Sequence, residues 1–211
     1  MVNPLLNPMV SFTLLKNVIF DPRRINRLNP DQMKKYRDKV FRKIVKYAYS
    51  VPLYHEKYKK ADIHPSDIKG IDDIVKLPMV SKNDIRENFP DRILPINADK
   101  NKNYVICTGG TTGKSISIYT DFLTMGKAGG TIIRDLNQFN LNWKKVKMAH
   151  IGNFNPCRID LVAQEHFDKY VNPHLLEDKR LNLDVSTPTI DLIKKLDDFK
   201  PDMILSYPAI F

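Results

Sequence analysis

At 211 residues, 42% hydrophobic and 27% charged, the chain can bury a sizeable core and is too apolar for an intrinsically disordered one. Its 34 Lys and Arg outnumber 24 Asp and Glu, and the net charge of +10 favours anionic partners (nucleotides, CoA, nucleic acid or membrane surfaces) without choosing among them. Two cysteines, Cys107 and Cys157, are too few for a disulfide framework, lack C-x-x-C spacing, and leave a reducing cytoplasm as the default location.

The first twenty residues hold one charge, Lys16. They lack the basic start of a signal peptide, Asn3, Pro4, Asn7 and Pro8 interrupt them, and the apolar run over residues 10–20 is too short to span a bilayer. Residues 1–28 are instead expected to form a docking arm, because Val10, Leu14 or Leu15, Val18 and Ile19 recur at helical spacing. Asn29-Pro30-Asp31 supplies an N-cap, a proline at the first helical position and an acid in the first turn, which predicts a helix to about Tyr49. Met33, Tyr36, Val40, Phe41, Ile44, Val45 and Ala48 form its apolar stripe. Residues 33–60 carry ten Lys or Arg against two acids, with tyrosines interleaved, a pattern shared with nucleic-acid binders. No recognition motif accompanies the charge, so a solvated basic face over packed tyrosines, with no specific nucleic acid partner, is the expectation. Prolines at 52, 65, 78, 90 and 95 predict short helices joined by turns. Ser81-Lys82-Asn83-Asp84 has capping-box spacing and should open a helix reaching about Asn88. Residues 29–99 thus read as mostly helical.

From residue 100 the pattern becomes α/β. Residues 104–107 and 115–119 read as strands. Between them lies Thr108-Gly109-Gly110-Thr111-Thr112-Gly113-Lys114, where three glycines permit close backbone approach, threonines offer hydroxyls and a lysine offers a cation. That chemistry suits a phosphate cradle. The P-loop pattern G-x-x-x-x-G-K-[ST] is completed by Gly113-Lys114-Ser115 but needs a glycine where Thr108 stands, and residues 115–119 have strand rather than helix periodicity. A Gly-rich hairpin without a ligand is the bland alternative. A helix is predicted from Thr120 or Asp121 to about Phe139, in which Gly126, Gly129 and Gly130 each cost about 1 kcal/mol relative to alanine. Packing against a sheet or the loop is expected to offset this; otherwise the helix breaks. Next come a strand over 146–151, a helix over 160–169, a strand over 181–185, a helix over 188–199 and a strand over 203–206. His150 is expected to be a hydrogen-bonded core residue, and no second ligand-type residue stands at useful spacing for a metal. The alternation predicts a layered α/β structure with largely parallel strands over residues 100–211.

Thr108 to Lys114 resembles the S-S-G-T-T-G-K-P phosphate loop of the adenylate-forming ligases, in the form found in phenylacetate-CoA ligases and their capsule-biosynthesis and deazaflavin-adenylating relatives. Gly109 replaces a serine and Ser115 a proline. Residues 48–54 (AYSVPLY) resemble that family's Y-A-x-x-x-V-P-x-Y segment, residues 77–86 (LPMVSKNDIR) its L-P-x-x-x-K-x-D-L-R segment, and residues 198–208 its K-P-x-x-x-x-x-Y-P-S stretch. Between 140 and 180 the family's glycine and histidine pattern is not evident. The resemblance implies part of the large N-terminal domain of an AMP-forming acid-CoA ligase, which joins a carboxylate to ATP and passes the acyl group to a thiol. ATP, Mg²⁺ and CoA would be its cofactors. Thr108, Gly109, Gly110, Thr111, Thr112, Gly113 and Lys114 would hold the nucleotide phosphates, and Tyr207 and Pro208 would border the acyl or adenine pocket. In such enzymes a Tyr-Gly-x-x-Glu-like segment, a ribose-binding Asp and a lid with the adenylation lysine follow the position of Phe211. The chain is therefore expected to be an N-terminal part, inactive and self-associating when alone, completed by a C-terminal half or a partner subunit. A non-catalytic nucleotide- or CoA-binding module and a basic nucleic-acid-binding protein are the alternatives.

Overall fold

The structure, a computed structural model, describes residues 3–16, 25–108, 115–170 and 177–207. In chain order these hold α1 (Pro8–Leu14), α2 (Pro30–Tyr49), α3 (Pro52–Lys60), α4 (Lys82–Asn88), β1 (Asn103–Cys107), β2 (Ser117–Asp121), α5 (Phe122–Gln138), β3 (Met148–Gly152), α6 (Ile159–Tyr170), β4 (Arg180–Asp184), α7 (Thr189–Phe199) and β5 (Met203–Ser206). Helices and parallel strands alternate from α5 onward, as the fold class required. The chain divides into two compact units, Arg23–Thr120 and the pair of segments Met1–Pro22 and Asp121–Phe211. Among the described residues no helix is long and apolar enough to cross a membrane.

The unit Arg23–Thr120 is built on α2. Asn29 accepts a hydrogen bond from the Gln32 N–H at 2.9 Å, and Gln32 returns one from the Asn29 N–H at 3.1 Å, so the first turn has both ends of a capping box. Phe41 and Val45 on its inner face pack with Tyr58 of α3 and Ile68 in one buried cluster, surrounded by Ala48, Tyr49, Tyr54, Ile63, Ile71 and Leu77. Lys35, Lys39, Lys43 and Lys46 lie exposed on its other sides. Asp38 reaches from α2 to the Ile71 N–H at 2.9 Å, which ties the turn after α3 back to the long helix. Glu56 of α3 meets Arg92 at 2.5 Å, and the Leu53 N–H donates to the Arg92 carbonyl at 3.0 Å. These bonds clamp the proline-punctuated segment onto the helix pair.

In the other unit β3 is the central strand of a parallel sheet ordered β4-β3-β5. Met148 pairs with Arg180 and Met203, and Gly152 with Asp184 at the far end. Side chains alternate between the two faces of a strand. Ile151, Leu181 and Leu183 on one face meet Leu192 and Leu196 of α7. Met148, His150, Arg180, Asn182 and Leu205 lie on the other, toward α5 and α6. The helices therefore cover both faces, as the reversed direction of successive right-handed crossovers demands. α5 runs unbroken through its three glycines. Gly126 is offset neither by a sheet nor by the loop: a Cβ there would stand 2.6 Å from Leu14 Cδ2, so it is the N-terminal helix α1 that approaches. Gly129 faces the sheet side, and Gly130 is buried.

Candidate functional site

Of the seven residues read as a phosphate cradle, Thr108 is described; Gly109, Gly110, Thr111, Thr112, Gly113 and Lys114 lie outside the described residues. Thr108 closes the base of the loop. Its N–H donates to the Ile116 carbonyl at 3.0 Å, and its Oγ1 accepts from the Ile116 N–H at 3.2 Å. One residue further out, Cys107 Sγ and Ser117 Oγ stand 3.5 Å apart. α4 buttresses this base: Arg86 Nε donates to the Ser115 carbonyl at 3.2 Å, and Phe89 stacks on Tyr119 of β2 with ring centroids 5.4 Å apart. Two segments that the sequence connects only by order, LPMVSKNDIR and the residues that follow the glycine loop, are thus joined by a hydrogen bond at Ser115. α4 is itself fixed by its cap. Ser81 Oγ accepts from the Asp84 N–H at 3.1 Å, and Asp84 meets Lys57 at 3.0 Å. The Ser81 backbone N–H, followed by the Ser81 hydroxyl and Lys57, holds the Asp84 carboxyl down at about 2.

The second locus is a cavity of about 310 Å³ between α5, α6 and the sheet. α5 lines it with Met125, Gly129, Ile132 and Leu136, at the spacing of one helical face. α6 contributes Ala163 and Gln164, and Trp143 joins from the α5–β3 connection. Toward the carboxyl ends of the strands the lining becomes polar. His150 Nε2 lies 3.5 Å from Asp160 Oδ1 of α6, while Asp160 Oδ2 accepts from the Tyr207 hydroxyl at 2.6 Å and from the Asn153 N–H at 2.8 Å. Phe154 packs edge-on to His150, centroids 5.4 Å apart, and its N–H donates to Asp184 at 3.0 Å. Gly152 makes room for the arrangement: a Cβ there would stand 2.9 Å from His150 Nε2 and 3.0 Å from the Asp160 carboxyl carbon.

Burial works against a charge on Asp160, and His150, Tyr207 and the Asn153 N–H overcome it, holding the carboxyl at about 2. The hydrogen bond to Asp160, followed by burial, pushes the Tyr207 phenol up to about 12. A depressed carboxyl stabilises the fold above its unfolded value, and that contribution is lost as pH falls from about 4 to about 2. A raised phenol stabilises it below about 10, and that contribution is lost as pH rises toward about 12. Asp160→Asn is expected to remove both limbs. The difference in urea midpoint between wild type and variant should be constant from about pH 5 to 9 and shrink outside that range. A difference that stays constant down to pH 2 would contradict the assignment.

The sequence placed Tyr207 at a pocket border, and the structure puts it on Asp160 at the carboxyl end of β5; Pro208 lies outside the described residues. His150, expected to be a partnered core residue, has its partner but also lines the cavity. Sequence reasoning misses Asp160. Its signal in the sequence is an acid in the first turn of a helix, common enough for electrostatic reasons alone, and its partner Tyr207 is 47 residues away. Ligands of open α/β sheets bind at the carboxyl ends of the strands, which is where this network stands.

No known family model matches the chain. Curated proteins do. The phenylacetate-coenzyme A ligase of Escherichia coli K12 is 28% identical over 102 residues, 48% of this chain and 23% of that enzyme. The enzyme of the same name from Pseudomonas putida is 31% identical over 85 residues, 40% and 19% of the respective chains, and that from Aromatoleum evansii 30% over 95 residues, 44% and 21%. The chain thus spans under a quarter of the length of these relatives. Among solved structures, 2-hydroxyisobutyryl-CoA ligase in its postadenylation state with 2-HIB-AMP superposes with a TM-score of 0.63 at 17% identity, covering 87% of this chain and 38% of that one. Its open conformation, in complex with 2-HIB-AMP and CoA, gives 0.61 at 16% identity. Shared fold and partial sequence identity relate the chain to the N-terminal portion of the adenylate-forming CoA ligases.

Proposed function

We propose that this chain is the acid- and phosphate-binding portion of an AMP-forming acid-CoA ligase, in which a carboxylate is activated by ATP and passed to the thiol of CoA. The glycine loop from Thr108 to Lys114 takes the phosphates, and the cavity between α5, α6 and the sheet takes the organic part of the acid. The observation that carries the reading is that cavity: an apolar space of about 310 Å³ beside a hydrogen-bonded His150–Asp160–Tyr207 network, in a chain aligned with phenylacetate-CoA ligases. Small-molecule sites have this make-up, an apolar lining with a few fixed polar groups. In adenylation, negative charge builds on the departing pyrophosphate, and backbone N–H groups and a lysine stabilise it when they are in place beforehand. Among the described residues no three or more His, Cys, Asp and Glu stand together as a metal site.

Trp143, the single tryptophan, lines the cavity and reports on its contents. Titration with phenylacetate is expected to change its fluorescence saturably. Ala163→Phe, which fills the cavity from α6, should weaken that binding by at least about tenfold, because the ligand's apolar body loses its space. If neither phenylacetate nor any other aryl or fatty acid bound saturably, the reading would be wrong.

A further inference from the structure

The cavity is not apolar at both ends. At the amino-terminal end of β4, Lys179 and Arg180 line it, at the sheet level where Arg180 pairs with Met148. The Asp160 network lies beyond the opposite level, where Gly152 pairs with Asp184. Four residues of strand separate the two, about 13 Å. Asn182 lines the interval from the sheet and Gln164 from α6. Lys179 is half-buried, and its one hydrogen-bond partner among the described residues is the Lys144 carbonyl, at 2.9 Å. An ammonium has three donors, so two remain for a ligand. Arg180 is half-buried and has a partner of its own. A guanidinium brings five donors in a fixed fork suited to a carboxylate. An anionic group at this end of the cavity would meet the remaining Lys179 donors, and a plain aryl or alkyl tail would not.

We propose that the cavity selects an elongated acid carrying a second anionic group, read by Lys179 and Arg180. The apolar stripe of α5 accommodates the middle of such a molecule, and Asn182 and Gln164 flank it. This inference rests on the cavity being the acid site, and it names the class of acid: a dicarboxylate, or an aryl acid with a distal acidic substituent. Charge-assisted hydrogen bonds of this kind discriminate by an order of magnitude or more.

The test compares sebacate with decanoate, two acids of equal chain length that differ in whether the far end is a carboxylate or a methyl group. Trp143 fluorescence reads the binding of each to the chain at neutral pH. Sebacate is expected to bind at least about tenfold more tightly, with a preference that falls as salt is added. Lys179→Met and Arg180→Met should each bring the two acids toward parity by weakening sebacate far more than decanoate. Decanoate binding as tightly as sebacate overturns the proposal and leaves the acid site standing, and so does a preference that survives both substitutions. If phenylacetate binds and neither long acid does, the proposal also fails alone. If no acid binds, both readings fall. The comparison on the unaltered chain decides the matter even if a substitution at Lys179, which also holds the Lys144 carbonyl, prevents folding.

Discussion

In a catalytically competent protein carrying this sequence, Lys114→Ala is expected to lower the rate of ATP–pyrophosphate exchange by roughly 30- to 1000-fold, while the concentration of acid giving half-maximal rate changes little. The lysine is a point charge in a loop whose other members offer backbone donors and hydroxyls. Charge on the phosphates grows as the bond to pyrophosphate breaks, so its attraction is greater in the transition state than with ATP merely bound. Removing one donor aimed at such developing charge typically costs about 2–4 kcal/mol, which converts to that range of rates. A contact that bound ATP equally in both states would instead raise the nucleotide's KM and leave kcat alone. Lys114→Arg separates charge from shape, since it keeps the cation but replaces the compact ammonium with a wider, planar head. Exchange that proceeds at the wild-type rate in the alanine variant would remove the loop from the mechanism.

The second large effect concerns stability. Asp160→Ala is expected to destabilise the unit containing the parallel sheet by about 2 kcal/mol, because it takes the acceptor from the part-buried Asn153 N–H and the carboxylate from His150, whereas Tyr207, 46% exposed, can turn its hydroxyl to water. Trp143 lies in that unit and is the sole tryptophan, so its fluorescence during urea unfolding isolates this unit's transition. Asp160→Asn retains an acceptor of the same shape and should cost less than half as much. Equal losses in the two variants would mean that packing, and not the hydrogen-bond network, accounts for the effect. A loss below about 0.5 kcal/mol would mean the network is an exposed cluster of little weight.

The helix start at Asn29 was legible because a cap, a proline and an acid fall in consecutive positions, and the structure forms both capping-box bonds there. The parallel sheet was legible from alternation alone. Strand limits were not. The strand expected over 146–151 is Met148–Gly152, since Val146 is still in the turn, its N–H on the Asn142 carbonyl, and the Lys147 N–H is taken by Asp202. Likewise the strand expected over 115–119 is Ser117–Asp121, because the Ser115 carbonyl is taken by Arg86 and the Ile116 N–H by the Thr108 hydroxyl. Sequence could place Gly126 at a close approach but not name what approaches, because Leu14 lies more than a hundred residues earlier. The same limit hid Asp160. Local pattern shows which side chains share a face, whereas the network and the cavity are made by residues that only the crossovers bring together.

The two units also differ in how they are written along the chain. Arg23–Thr120 is continuous, whereas the sheet-bearing unit needs Met1–Pro22 from one end and everything from Asp121 onward from the other. A ribosome delivers the chain from the amino terminus at a pace slow beside local folding, and domains generally fold as units. The helical unit can therefore be finished while the first segment still waits. That segment exposes Leu6, Met9 and Phe12 even when folded, and during translation Leu14 has no α5 to receive it. β3 waits longer still, since its last neighbour, β5, is made about fifty residues after it. A nascent chain arrested before residue 200 should thus present a finished helical half and an unfinished sheet half to chaperones and proteases.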